Sequence, residues 1–147
     1  MRDYSVLIGG KAGDGIDSAG LIIARILSRM GLYTYIYRDY PSVIRGGHTF
    51  SIIRASDKKV KAHKDSVDFI LALNQETINL HRHKLKKDCL FIYDTDQPPV
   101  EGQVAASCGA GLGIANILKE EAAPAVMRNS CLIGAFCKAS GIKWDIL

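Results

Sequence analysis

The sequence predicts an α/β three-layer sandwich built on a mixed, mostly parallel sheet. Three observations predict it. Short apolar runs, Tyr4 to Ile8, "VDFILALN" and "CLFIYDTD", read as strands buried on both faces. Segments with helical spacing alternate with them, as layered α/β folds require. One connection, between "YTYIYR" and "TFSIIRAS", is too short to hold a helix, so part of the sheet is antiparallel.

At 147 residues the chain is expected to be a single domain, 1–147, large enough to bury a core without disulfides or metal. Its hydrophobic fraction of 48% and mean hydropathy of +0.06 exclude a disordered chain. A net charge of +4 is too small to indicate nucleic acid and fits an anionic ligand or partner. The first apolar run is only "VLI", and no run reaches membrane-spanning length, so neither a leader nor a membrane is expected. Cys89, Cys108, Cys131 and Cys137 form no C-x-x-C pair and read as reduced thiols of a cytoplasmic protein.

Tyr4 to Ile8 is the first strand. Asp17 or Ser18 caps a helix with Leu21, Ile22, Ala24, Ile26 and Leu27 at helical spacing, closed by Gly31. "YTYIYR" and "TFSIIRAS" follow, the latter with Phe50 and Ile52 on one face and Ser51 and Ile53 on the other. Beyond a lysine-rich turn, "VDFILALN" is a central strand, "QETINLHRHKLKKD" an amphipathic basic helix and "CLFIYDTD" another strand. Gln97 to Gly102 reads as a turn or crossover, and Gly109 to Glu121 as a helix with a glycine-rich start. Met127 to Ser140 is a last helix, apolar nearly all round, with Gly134 admitting another backbone. Trp144, Ile146 and Leu147 open an apolar pattern with nothing after it, so the domain is expected to be truncated at its C-terminal end.

Gly13 and Gly15 stand after a strand and before a helix, where glycines let phosphates approach a helix N-terminus. Asp39, ending the second strand, is a candidate for a ribose hydroxyl. Against a dinucleotide site, Ser18 replaces the third glycine, and Asp14 and Asp17 bring negative charge where phosphate would sit. A plain strand-to-helix turn needing a positive φ explains the glycines equally well. It does not explain a second glycine-rich loop, "DYPSVIRGGHT".

Loops at the carboxyl ends of strands line the ligand crevice of such sheets. Both loops leave carboxyl ends, and would face each other if their strands are neighbours. Arg45 offers a planar donor fork for phosphate or carboxylate. Gly46 and Gly47 expose backbone N–H groups, and Tyr40, Ser42 and His48 add polar atoms. Bland alternatives stand beside each: Arg45 as a surface cap, His48 as a satisfied structural histidine, Tyr40 as a seal against the core, Asp14 as a turn residue and Asn74 as a cap for "QETI". Lys58, Lys59, Lys61 and Lys64, with the basic stretch His81 to Lys87, read as solvated faces.

Four stretches, "GGKAGDGIDSAG", "RDYPSVIRGGHTFSIIRAS", "VDFILALNQET" and "MRNSCLIGAFCKASGI", resemble in that order the gamma domain of the 2-oxoacid:ferredoxin oxidoreductases. The Y-P-S-x-x-R-G-G-H block is the most specific part. With the tyrosine-rich run before it, that block is most similar to the 2-oxoglutarate type, whose gamma domain is often fused in front of the alpha domain. The resemblance implies an enzyme that decarboxylates a 2-oxoacid on thiamine diphosphate and reduces ferredoxin through iron–sulfur clusters, making an acyl-CoA. Thiamine diphosphate, magnesium and the clusters would belong to partner domains, the alpha and beta subunits. The gamma domain would help receive CoA, with Gly13, Asp14 and Gly15 in the first loop and Tyr40, Ser42, Arg45, Gly46, Gly47 and His48 facing the interface.

No catalytic residue is expected in this chain itself, and the isolated chain is expected to be inactive. Gly13-Asp14-Gly15 matches the start of a thiamine-binding motif, but the metal-binding Asn is missing near Ser28. Two further readings stay open: a purely structural assembly module of that complex, and an independent nucleotide-binding domain.

Overall fold

The computed structural model describes residues 2–40, 47–96 and 109–146. Along the chain they form β1 (Asp3–Lys11), α1 (Ile16–Arg29), β2 (Tyr33–Asp39), β3 (His48–Ser56), β4 (Val67–Ala72), α2 (Gln75–His81), β5 (Leu85–Asp94), β6 (Gly109–Leu112), α3 (Ile114–Glu120) and α4 (Arg128–Ala139). Among the described residues six strands make one sheet in the order β2-β3-β1-β4-β5-β6. β3 runs antiparallel to both its neighbours, while the β1–β4, β4–β5 and β5–β6 pairs are parallel. The sheet is thus mixed and mostly parallel, with helices on both faces, as the sequence predicts.

Strand alternation sends neighbouring side chains to opposite cores. Val6, Ile8, Ile53, Leu71 and Ile92 pack under α1 and α4. Leu7, Ile52, Ile70 and Phe91 face the other way, with Ile78 of α2 over them. α1 buries Ile16, Ala19, Ile23, Ala24, Ile26 and Leu27, the stripe expected of a helix lying on a sheet. Gly31 ends it with φ 80°, as anticipated.

Four expectations fail for tertiary reasons. α1 is capped by Gly15 (φ 74°) without a side-chain cap, not by Asp17 or Ser18; the turn out of β1 needs a left-handed residue at that point. The basic helix expected over 75–88 stops at His81, because Leu85 onward joins the sheet beside β4, with an irregularity between Val67 and Phe69. The glycine-rich run at 109 is not a helix start but the edge strand β6, held in parallel register on Phe91–Asp94. Gly134 admits no backbone among the described residues: a Cβ there would meet none of them within 4 Å. The turn expected over 97–102 lies outside the described residues.

Phe136 of α4 is 1% exposed and meets Phe69 of β4 edge to face, centroids 5.1 Å apart. Phe136→Ala should therefore cost about 3–5 kcal/mol, the range for emptying a buried aromatic site, read as a lower urea midpoint at an unchanged m-value.

Candidate functional site

The carboxyl edge of the sheet gathers the first glycine-rich loop and the described ends of the second, Asp39, Tyr40 and Gly47 to Thr49. Their parent strands are not neighbours, because β3 lies between β2 and β1. The loops meet all the same, since β3 starts beside the end of β1: Gly10 pairs with Thr49 and Lys11 with His48. One turn further, the Ala12 N–H donates to the Gly47 carbonyl (3.1 Å). Thr49 closes the other side by donating its hydroxyl to the Asp39 carbonyl (2.9 Å). Ser42, Arg45 and Gly46 lie outside the described residues.

A cleft of about 380 Å³ opens here, lined by Ala12, Gly13, Gly15, Ile16, Asp17, Tyr40 and Thr49. Gly13 (φ 100°) and Gly15 (φ 74°) bring the chain to the first turn of α1 in conformations that L side chains resist. With no side-chain cap, the first N–H groups of α1 face this end of the molecule. The two nearby carboxylates are already engaged. Asp14 folds back on its own loop, where Oδ2 accepts the Lys11 N–H (2.8 Å), so it is the turn residue expected of it. Asp17 pairs with Arg38 Nε at 2.5 Å. Tyr40 is 60% exposed, so it walls the cleft and does not seal the core. Partial burial, and then its hydrogen bond to Asp17, raise its phenol above the ordinary range.

Asp39 fares poorly as a ribose ligand. A dinucleotide fold sets its second strand beside the first, whereas here β3 separates β2 from β1.

His48 leaves the cleft for the other face of the sheet. Thr49, one residue on, lines the cleft; His48 stacks on Phe50 and places Nε2 2.8 Å from Nε2 of His81, on α2. At that distance one ring donates and the other accepts. Burial, and then the neighbouring His48, push His81 down to about 4. Burial also lowers His48, against the opposing influence of Glu76 and Asp39. His81 is only 5% exposed, although the sequence places it on a solvated basic helix. Gly9 makes this packing possible: a Cβ there would lie 2.6 Å from Thr77 Cγ2 and 3.0 Å from His48 Cε1. Asn74 caps α2 by accepting the Thr77 N–H (3.0 Å) and hydroxyl (2.7 Å), the bland alternative for that residue.

Two site residues escape sequence reasoning. Asn129, in the first turn of α4, donates its amide to the Asp14 and Gly15 carbonyls (3.4 and 3.3 Å) and so braces the glycine loop. Arg128 donates Nη2 to the buried Asp94 (2.6 Å) and to the Leu73 carbonyl (3.4 Å). The only signal for them was a pair of polar residues opening an apolar helix. Among the described residues no three His, Cys, Asp or Glu side chains are grouped so as to hold a metal ion.

The family model described as pyruvate ferredoxin/flavodoxin oxidoreductase matches residues 5–146, and the chain belongs to that family. A 2-oxoacid:ferredoxin oxidoreductase subunit alpha from a Sulfolobus species is 35% identical over 87 residues, which are 59% of this chain and 14% of the relative. The 2-oxoglutarate:ferredoxin oxidoreductase from Magnetococcus marinus, solved with 2-oxoglutarate, coenzyme A and succinyl-CoA bound, superposes with a TM-score of 0.83 at 26% identity. That alignment covers 99% of this chain and 26% of the other. The keto/oxoacid ferredoxin oxidoreductase gamma subunit from Geobacter sulfurreducens gives 0.80 at 25% identity, over 96% of this chain and 78% of that one. The chain therefore spans a minor part of the Sulfolobus and Magnetococcus proteins it matches.

Two outcomes test this geometry. Gly9→Ala should cost about 1–3 kcal/mol, as overpacking does, and should speed amide exchange at Thr77 by loosening the Asn74 cap. Stability should also fall as pH falls from 6.5 toward about 4, because the unfolded His81 takes up a proton that the folded one refuses. His81→Phe should flatten the slope of unfolding free energy across that window; an unchanged slope would show that His81 does not set it.

Proposed function

We propose that this chain, a member of the pyruvate ferredoxin/flavodoxin oxidoreductase family, serves as the gamma-type domain of a 2-oxoacid:ferredoxin oxidoreductase and helps form its CoA-accepting surface. The observation that carries the reading is the junction of the two glycine-rich loops, where the Ala12–Gly47 hydrogen bond borders a cleft at the uncapped start of α1. The likeness to a gamma subunit over 96% of this chain supports the gamma assignment. The CoA and 2-oxoglutarate bound to the Magnetococcus protein support both ligands for the complete enzyme.

The fit to CoA is chemical. Phosphate groups suit free N–H donors at a helix start and backbone without side chains in the way. Gly13 and Gly15 supply the access; Asp14 accepts the Lys11 backbone N–H, and Asp17, which lines the cleft, is paired with Arg38. In this reading Gly47 borders the cleft, and Ser42, Arg45 and Gly46 are assigned to CoA binding by the resemblance of their sequence block, Arg45 as the phosphate fork. Tyr40 forms the outer wall; His48 supports the sheet edge from behind and does not touch the ligand.

This chain thus binds and orients, and donates no proton to the reacting atoms. Thiamine diphosphate, magnesium and iron–sulfur clusters, held by the alpha and beta partners, supply the decarboxylation and electron transfer. The products are an acyl-CoA, CO2 and reduced ferredoxin, with 2-oxoglutarate as the 2-oxoacid. Cys131 and Cys137 carry free thiols, as a cytoplasmic setting would keep them. Among the described residues no helix is long and apolar enough to cross a membrane.

In the assembled oxidoreductase, Arg45→Ala should raise the KM for CoA about tenfold, ~1.4 kcal/mol of lost binding, with kcat little changed. An unchanged KM together with weakened subunit association would favour the assembly-module reading instead. Tight NAD or NADP binding by the isolated chain in calorimetry would restore the nucleotide-binding reading.

A further inference from the structure

The peptide that opens α1 is held from the far end of the chain. Asn129, in the first turn of α4, donates its side-chain amide to the carbonyls of Asp14 (3.4 Å) and Gly15 (3.3 Å). The approach is close: a Cβ at Gly15 would lie 2.9 Å from Asn129 Nδ2. The two carbonyls are not equivalent. That of Gly15 also accepts the Ala19 N–H (3.0 Å), the first bond of α1, whereas among the described residues no backbone N–H reaches that of Asp14. The Asp14–Gly15 peptide also ends on a glycine with φ 74°, a residue that takes either sign of φ at little cost. Asn129 is therefore what keeps this peptide from turning over.

A trans peptide is planar, with its C=O and N–H on opposite sides. Turning the Asp14 and Gly15 carbonyls toward Asn129 thus turns the Gly15 and Ile16 N–H groups away from it. Gly15 and Ile16 line the cleft at the start of α1, and Asn129 is not part of its wall. The two donors are thereby directed to the cleft side. Asn129 is itself held in place. Arg128, beside it, donates Nη2 to Asp94 (2.6 Å), whose side chain is 1% exposed, and to the Leu73 carbonyl (3.4 Å). Further along α4, Leu132, Ile133 and Phe136 are buried. Breaking one side of a buried ion pair is costly, so the first turn of α4 is a firm support for the amide.

We propose that Asn129 is a positioning residue for CoA: it locks the Asp14–Gly15 peptide in the orientation that aims the Gly15 and Ile16 N–H groups at a phosphate of the ligand. It touches no atom of CoA and acts only through the loop. This rests on the reading that the cleft at the start of α1 accepts CoA.

The test uses the assembled oxidoreductase. Asn129→Leu keeps the size of the side chain and removes its donors. It should raise the KM for CoA about fivefold, the worth of one hydrogen bond, while kcat at saturating CoA and the KM for the 2-oxoacid stay near wild type. Amide exchange over residues 12–19 should quicken, because the Asp14 N–H, bonded to the Lys11 carbonyl (3.0 Å), and the Ala19 N–H belong to the loop so released. Asn129→Asp is the second variant. The first turn of α4 holds no acidic residue and no side-chain cap, so a carboxylate there suits the helix yet donates nothing to the loop. The KM for CoA should rise again. Unchanged exchange over 12–19 would overturn the proposal, and so would a loss of kcat and of affinity for both substrates alike, the mark of a merely structural residue. A KM for CoA unmoved in both variants, while Arg45→Ala raises it, would overturn this proposal alone. A KM unmoved in Arg45→Ala as well would overturn the CoA reading together with it, so the two failures are told apart.

Discussion

The carboxyl edge of this sheet depends on two consecutive positions without side chains. Gly9 and Gly10 end the buried part of β1 and point to opposite faces. On one side, Thr77 and His48 occupy the space of a Cβ at Gly9, with Thr77 Cγ2 only 2.6 Å from it. On the other, Asp14 Oδ2 and Ile16 Cδ1 come within 2.9 Å of a Cβ at Gly10, and Leu73 within 3.3 Å. The α2 cap and the histidine pair can thus press on one face of β1 while the turn into α1 presses on the other. A side chain at either position would lift one of these elements away from the strand.

That close packing resolves an electrostatic objection. An acidic loop at a helix start should repel an anion, and Asp14 and Asp17 make this loop acidic. Each carboxylate is spent locally, Asp14 on the Lys11 N–H and Asp17 on Arg38. Asn129 then holds the Asp14 and Gly15 carbonyls from behind. The first turn of α1 has no side-chain cap, so its N–H groups stay available at the front of the loop. Arg38 offsets the charge of Asp17, so a local count of acidic residues overstates the negative charge at the cleft.

Much of this was legible in the sequence where one periodicity held and packing agreed with it. Alternation along "TFSIIRAS" placed Ile52 and Ile53 on opposite cores, and the short link into it announced the antiparallel pair. Legibility failed where pairing overrode local preference. "LKKD" reads as the end of a basic helix, yet it opens β5, at the irregular start of the β4 ladder where lysines reach solvent. "GAGL" has little strand propensity, but pairing with Phe91–Asp94 and the Tyr93 ring lying over Gly111 make it an edge strand. His81, Arg128 and Asn129 were invisible for a different reason. Their roles depend on partners 33 to 115 residues away in the chain, and no local pattern encodes such distances.

Those distant partners also tie the start of α4 to three strand ends. Arg128 and Asn129 are consecutive residues in the first turn of α4. The first spans the carboxyl ends of β4 and β5 through Leu73 and Asp94; the second braces the loop that follows β1. Asp94 is buried, and breaking one side of a buried ion pair is far more costly than breaking an exposed one. The first turn of α4 therefore cannot move away from β5 without leaving a charge unpaired in the interior, and any shift it makes is transmitted to the carbonyls of Asp14 and Gly15. Two adjacent side chains thus link the carboxyl ends of β4 and β5 to the loop that follows β1.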